Sequence, residues 1–441
     1  MPLIARVKAL RRLHTGPEEI RDAGGPVTLV RLGPRRLVAP MAVITSPQGA
    51  HDVLGGSDGS FDKEMITFVE ARKWFGNNLF NITHEPWVSR RRTMQPLFTK
   101  KHVAIYAGRM ADIAQTSAAT WARAGSIDLD KETRRLTMRV LGQSLFGLDL
   151  GAQAEELGPP LNRAVQFVTD RSLQPVRAPA WLPTFARHRF RTAKDVVDRT
   201  IDDAITAARG GPGRNAELIR LFFETTDPVT GKRFTDRAIR QELWAFLFAG
   251  HDTTATTLAY SLWALGRDGA IQERVAAESA ALGDRPLQVD DVAHLPYTVQ
   301  VIHEALRMCP PAAVLARMAM RDVVVDGYRI PAGTNVVVGV YALHHDPTLW
   351  VDPGRFDPER FRPDRSAGRN RWQYLPFGGG PRTCIGDHFA MLEATLALAG
   401  ILRTVQTESL CVDFPLVTPF TTVAGGPVPA RIRARTSAPP V

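Results

Sequence analysis

Apolar residues recur every three or four positions over much of the chain beyond Pro47, the spacing of helices with one buried face. The pattern predicts helices over Tyr106–Trp121, Glu132–Leu148 and Ala193–Arg209. A longer one is expected from near Thr235 to about Gly266. Its LWAFLFAG and TTLAYSLWAL stretches are apolar on nearly every face, which places it in the middle of a large core. A last helix should follow Cys384, with Phe389, Leu392, Leu396 and Ala399 inward.

Alternation with a period of two is confined to short pieces. VTLVRLG (27–33) and RRLVAP (35–40) flank a Gly-Pro turn and read as a hairpin. The run 321–340 reads as a strand meander, with Asp326-Gly327 as a type I′ turn and Pro331-Ala332-Gly333 as a second turn. Segments 209–215 and 225–232 read as loops, and the stretch after Cys411 as strand and turn. The expected fold is mostly α with a minor β region, its strands too few and scattered for a doubly wound sheet. Neither repeats nor low-complexity linkers divide the 441 residues, so residues 1–441 are expected to form a single domain.

Composition changes this picture little. The chain is 44% hydrophobic and 23% charged, the balance of a globular protein. No run approaches the roughly 18 apolar residues of a membrane span, and MPLIARVKALRRLH is too interrupted by Arg and Lys for a secretory segment. Three cysteines without CxxC or Cys/His zinc spacing fit a reducing cytoplasm. The net charge of +10 admits nucleic acid, lipid or an acidic protein as partner. Without a basic tail or an aromatic–basic RNA motif, nucleic acid is the weakest of these.

The sharpest local feature is FGGGPRTCIG, 377–386. Glycines let a backbone approach a flat object closely. The cysteine lies just ahead of a helix N-terminus, where free N–H groups and the helix dipole favour a thiolate. A thiolate facing a planar partner suggests an iron porphyrin. The other reading is a glycine-rich turn around a buried structural cysteine.

With Phe377, Gly378, Arg382, Cys384 and Gly386 in that spacing, the chain resembles the cytochrome P-450 superfamily from about Val27 to its end. The resemblance implies haem b with Cys384 as axial iron ligand, Phe377 beside the sulfur, Arg382 on a propionate, and Gly386 letting the next helix approach the ring. It also implies that the long central helix lies over the haem. Three further motifs match in order. HEALR and PERF supply Glu304, Arg307 and Arg360, which the family joins in a buried charge network. In AGHDTT, a back-bond from the Thr253 hydroxyl to the Ala249 carbonyl should bend the helix. Gly250 should open a notch there for water and dioxygen, and Asp252 and Thr253 match the family's proton-delivering pair. His251 is expected to be an ordinary satisfied side chain. In HEPWVSRRR, the resemblance gives Trp87 and Arg91 to a propionate, with Arg317 as a third partner and His84 as surface or cap. Substrate contacts are expected from Phe68, Phe75, Leu79, Phe246, Ala249, Val314 and Phe420, all suited to a hydrophobic molecule.

The implied activity is a monooxygenase reaction. One atom of dioxygen enters a fatty acid, terpenoid, sterol or polyketide. Electrons come from an acidic ferredoxin or flavodoxin served by an NAD(P)H-dependent reductase. Neither a membrane anchor nor a fused reductase is expected. Arg90, Arg92, Lys100, Lys101, Arg369 and Arg371 are the expected docking charges for the donor. A peroxide-driven peroxygenase or a haem isomerase on the same fold is the enzymatic alternative. A non-catalytic gas-binding protein is the rival from another class.

Overall fold

A computed structural model describes residues 1–34, 38–151, 153–174, 177–179, 181–210 and 217–435. The helices that build the site are α1 (Ile66–Phe75), α2 (His84–Met94), α3 (Ala107–Ala124), α4 (Leu129–Leu141), α5 (Ala154–Leu173), α6 (Phe185–Arg209), α7 (Asp236–Leu265), α8 (Pro296–Met308) and α9 (Asp387–Thr404). The strands of interest are β1 (Val27–Val30), β2 (Met41–Ile44), β3 (Phe61–Asp62), β4 (Val314–Ala319), β5 (Val323–Val325), β6 (Tyr328–Ile330) and β7 (Asn335–Gly339). The fold is mostly helical with small sheets, as expected.

Helix α7 runs unbroken for 30 residues. It starts where the Thr235 hydroxyl accepts the Ala238 N–H at 3.2 Å, the usual N-cap bond. It stops at Gly266. Leu243, Leu258, Leu262 and Leu265 are fully enclosed, and each such side chain contributes about 1.5–3 kcal/mol by leaving water. The expected back-bond at Thr253 forms, and the helix continues through it without a break. Helix α4 packs along α7, and α9 along α3. Beyond Leu141, the predicted 132–148 helix widens into a π-helical turn, Gly142–Phe146.

Two strand expectations change. The partner of β1 is Met41–Ile44, in the register Val27 to Ile44, rather than 35–40. Pro34 and Pro40 bracket the shorter run and have no N–H to give to a ladder, whereas MAVI offers three buried residues. Residues 35–37 lie outside the described ones. The 321–340 run is not one meander. β5 and β6 close on themselves about Asp326 (φ 47°) and Gly327 (φ 80°), the two positive angles of a type I′ turn. β7 instead lies parallel to β2 and antiparallel to β4, in a five-stranded sheet of order β1-β2-β7-β4-β3. The 225–232 loop stands as expected, whereas most of 209–215 lies outside the described residues. Among the described residues, no helix is long and apolar enough to cross a membrane.

Candidate active site

A cavity of about 520 Å³ lies between α7 and the loop ahead of α9. Cys384 is on one wall, and Ala249, Gly250 and Thr253 are also on the lining. The loop is shaped by left-handed glycines. Gly378 has φ 75° and Gly380 φ 70°, and a Cβ on Gly380 would stand 1.9 Å from the Leu54 carbonyl oxygen. The Cys384 N–H donates to the Phe377 carbonyl at 2.9 Å, which closes the loop on itself. Burial pushes the Cys384 thiol up from its ordinary value, while the Gly386 N–H and Arg91 pull it down.

Phe377, Gly378, Arg382, Gly386, Arg91 and Arg317 also line the cavity. A Cβ built on Gly386 would meet no atom, so its missing side chain leaves open space. Gly250 behaves otherwise: a Cβ there would come 2.9 Å from Leu141 of α4, so its smallness also serves the packing of α7 on α4. Arg91 donates to the Thr383 carbonyl at 2.9 Å. Arg382 donates to Asp62 at 2.9 Å and to the Ile82 carbonyl at 2.8 Å. Trp87 is not on the wall. Its ring lies 4.8 Å from the Arg382 guanidinium, so it supports the residue that faces the cavity.

Sequence reasoning missed Lys63. It is buried, lines the cavity, and donates to the Phe80 carbonyl. Burial, then Arg317 and Arg382, hold its ammonium well below the ordinary lysine value. Arg317 is lowered to about 10, by burial and then by Arg382. Asp62 is the acid that acts on Lys63, Arg317 and Arg382 alike. Three cations and one carboxylate leave two positive charges over. Lysine is almost never fully buried unless paired, and nothing in the FDK segment, 61–63, marked this one in advance.

The pair expected to deliver protons is split. The Thr253 hydroxyl faces the cavity and donates to the Ala249 carbonyl at 2.7 Å. Asp252 is not on the lining; its carboxylate is taken by Arg134 of α4, which also bonds Asp130 at 2.8 Å. His251 is not the satisfied side chain expected. Its Nδ1 has no partner among the described residues, its Nε2 stands 3.7 Å from Asp252, and burial drops it to about 4.

The charge network forms fully. Glu304 takes Arg307 at 2.7 and 2.8 Å, Arg360 at 3.3 Å and the Asp357 N–H at 2.8 Å. Arg307 also reaches the His344 carbonyl at 2.8 Å, which ties α8 to the chain leading into the cysteine loop.

Phe68, Leu79, Phe246, Val314 and Phe420 line the cavity, but Phe75 does not. It stacks on Trp244 at 4.9 Å, beside Phe190, in a separate aromatic cluster. Phe80 and Phe248, which sequence reasoning left out, join Phe420 edge to face at 5.4–6.1 Å, and Phe68 meets Phe80 at 5.8 Å. The expected docking charges also divide. Arg90 is turned inward onto buried Glu242 at 2.7 Å, and Arg92 onto buried Asp227 at 2.7 Å. Arg369 lies 4.7 Å over both Trp350 and Phe361. Lys100, Lys101 and Arg371 stay exposed. His84 opens α2, with its N–H on Asp62 at 2.8 Å.

A thiol on the cavity wall, a glycine cradle beside it and two surplus buried positive charges fit an iron-holding, flat dianion, which is what haem is. A sequence model of the cytochrome P450 family matches residues 2–424. Cyclooctatin synthase of Streptomyces melanosporofaciens is 34% identical over 86% of this chain and 82% of its own. Cyclooctat-9-en-7-ol 5-monooxygenase of the same organism is 32% identical over 91% and 86%. Pentalenene oxygenase of Streptomyces avermitilis is 31% identical over 86% and 84%. The crystal structure of the cytochrome P450DA heme domain superposes with a TM-score of 0.84 at 25% identity, covering 96% of this chain and 94% of that one. The chain belongs to the cytochrome P450 family. It is a haem-thiolate monooxygenase, an oxidoreductase that takes a hydrophobic substrate, dioxygen and electrons from a redox partner.

Proposed function

We propose that this enzyme hydroxylates an unactivated carbon of a cyclic terpenoid, with haem b held by Cys384. The observation that carries the substrate class is the wall of four phenyl rings, Phe68, Phe80, Phe248 and Phe420, in edge-to-face contact. Rigid rings in mutual contact present a broad apolar surface, which suits a compact polycyclic skeleton. The relatives named for cyclooctat-9-en-7-ol and pentalenene support the same class.

When bound, thiolate-ligated haem supplies the activation of dioxygen, a property taken from the family rather than from this geometry. The chain's own residues do the rest. Arg317, Arg382 and Arg91 offer positive charge to the propionates. Thr253 holds a hydroxyl proton at Oγ1, against the Ala249 carbonyl and on the cavity wall. Asp252 stands behind it as the acid, held by Arg134, so passing a proton forward requires exchange of that ion pair. The phenyl wall excludes water. Electrons enter from an acidic ferredoxin or flavodoxin with its NAD(P)H-dependent reductase, docked over Lys100, Lys101 and Arg371, in a cytoplasmic setting.

Optical titration of the ferric protein tests the class. A cyclic terpenoid should displace water and shift the Soret band at micromolar concentration, ahead of a fatty acid, a sterol and a polyketide. A shift with the fatty acid alone would overturn the assignment. Cys384→Ala should lose the red-shifted Soret band of the ferrous carbonyl complex, and Cys309→Ala and Cys411→Ala should keep it.

A further inference from the structure

Beside the phenyl wall lies a second, smaller cavity of about 40 Å³, between α1, α5 and α7. Phe68, Phe80, Phe248 and Phe420 line both it and the large cavity, so the two adjoin at those rings. Thr67, Thr169 and Ala245 are common to both linings too, so small side chains as well as rings stand at the join. Phe75 and Trp244, stacked on each other, belong to the smaller cavity alone. A space of this size takes a water or a hydroxyl and excludes a ring. Asn78 is also on its lining and is 3% exposed. The Asn78 Oδ1 has no hydrogen-bond partner among the described residues. Other buried polar side-chain atoms lack one as well, but none of them belongs to a residue on either lining.

The chain fixes Asn78 by its backbone and leaves that oxygen spare. Its N–H donates to Asn81 Oδ1 at 3.0 Å, and its carbonyl accepts the Asn81 and Ile82 N–H groups, each at 3.1 Å. The next residue, Leu79, gives its N–H to Glu242 of α7 at 3.0 Å. Neighbouring polar groups on the lining are engaged. The Asn81 amide donates to the Gly76 carbonyl at 2.9 Å, and the Thr169 hydroxyl to the Val165 carbonyl at 3.1 Å. A trapped water needs about two to four polar partners, which this mostly aromatic and aliphatic lining is poor in. A hydroxyl carried in on a substrate needs only one. A buried acceptor left unpaired is costly, and such a hydroxyl would remove that cost.

We propose that Asn78 determines specificity by accepting a hydroxyl group already present on the cyclic terpenoid. The hydroxyl enters the side cavity while the hydrocarbon skeleton lies on the phenyl wall. The inference rests on the terpenoid reading above and narrows it to terpenoid alcohols. The reaction that supplies the substrate must then install an alcohol, by an earlier hydroxylation or by water quenching a cyclisation cation. This enzyme adds a further oxygen to that alcohol.

The test uses the holoenzyme, with cedrol and borneol as probe alcohols and cedrane and bornane as their parent hydrocarbons. Dissociation constants come from the ferric Soret shift. In the wild type an alcohol should bind roughly tenfold tighter than its hydrocarbon, the gain of one hydrogen bond to an otherwise unpaired acceptor. Asn78→Leu, close in size but without an acceptor, should bring that ratio near one by weakening the alcohol alone. Asn78→Asp, which keeps the acceptor, should restore it. Should Asn78→Leu fail to fold, Asn78→Ala carries the same comparison. Equal affinities of alcohol and hydrocarbon in the wild type would overturn the inference and leave the side cavity to water. A ratio unchanged in Asn78→Leu would put the hydroxyl elsewhere and overturn the role of Asn78. If neither alcohols nor hydrocarbons shift the wild-type band, the terpenoid reading itself fails, and this inference with it.

Discussion

Removal of the Glu304 carboxylate should be among the most damaging single changes in this protein. Glu304 and Arg307 are both fully enclosed. Glu304→Ala leaves Arg307 with no charged partner, only the carbonyls of His344, at 2.8 Å, and Arg355, at 3.2 Å, and the Met308 sulfur, at 2.7 Å. Those dipoles do not neutralise a buried guanidinium. Breaking a buried pair from one side costs about 3–5 kcal/mol, a large part of the roughly 5–15 kcal/mol by which proteins are stable. With a urea slope of about 3 kcal/mol per M, the midpoint should fall by roughly 1–1.7 M. Arg360→Ala is the internal comparison. Its side chain is 11% exposed and its Nε stands 3.3 Å from Glu304, and its loss leaves the neutral Glu304–Arg307 pair in place. About 1–2 kcal/mol is expected there. Urea melts followed by tryptophan fluorescence and by the ferrous-carbonyl Soret band measure both. Equal costs for the two variants, or a Glu304→Ala midpoint at the wild-type value, would show that the network does not hold the fold in the way its geometry implies.

Thr253→Ala should keep haem and substrate affinity but release reduced oxygen as peroxide. Proton-delivery groups contribute about 100- to 10,000-fold, so product per electron should drop steeply; unchanged coupling refutes the role. Acid should weaken the fold as its buried histidines are forced to take up protons. His251, His303 and His345 are each lowered by burial from 6.5 to about 4. The unfolded chain thus binds protons that the folded one refuses. Stability is complete above pH 6.5 and declines toward pH 4 by about 1.4 kcal/mol per pH unit for each histidine, and a flat urea midpoint between pH 7 and 5 would contradict this. Lys100→Glu with Lys101→Glu should slow first-electron transfer at low salt, where the Debye length exceeds its physiological value of about 8 Å. Arg90→Glu should instead destabilise the fold, since it would set a second carboxylate against buried Glu242; stopped-flow reduction and urea melts separate the two effects.

The residues legible in advance were those whose role is local. The Thr235-to-Gly266 helix, the Asp326-Gly327 turn and the glycine loop around Cys384 depend on neighbours a few positions away, and periodicity, turn chemistry and motif spacing report such neighbours directly. The pairing of Glu304 with Arg307 is likewise one helix face seen from the sequence. Partner choice across the fold was not legible. Whether Arg90 meets solvent or Glu242, whether Asp252 faces the cavity or Arg134, and whether β7 follows β6 or crosses to β2 depend on elements far apart in sequence. Lys63 is the sharpest case. Its type and neighbours read as an ordinary surface lysine, and only the convergence of β3, β4 and the cysteine loop encloses it with Arg317 and Arg382. Burial of a charge is a property of everything packed around it, so its cost and its use arise with the tertiary structure and not before.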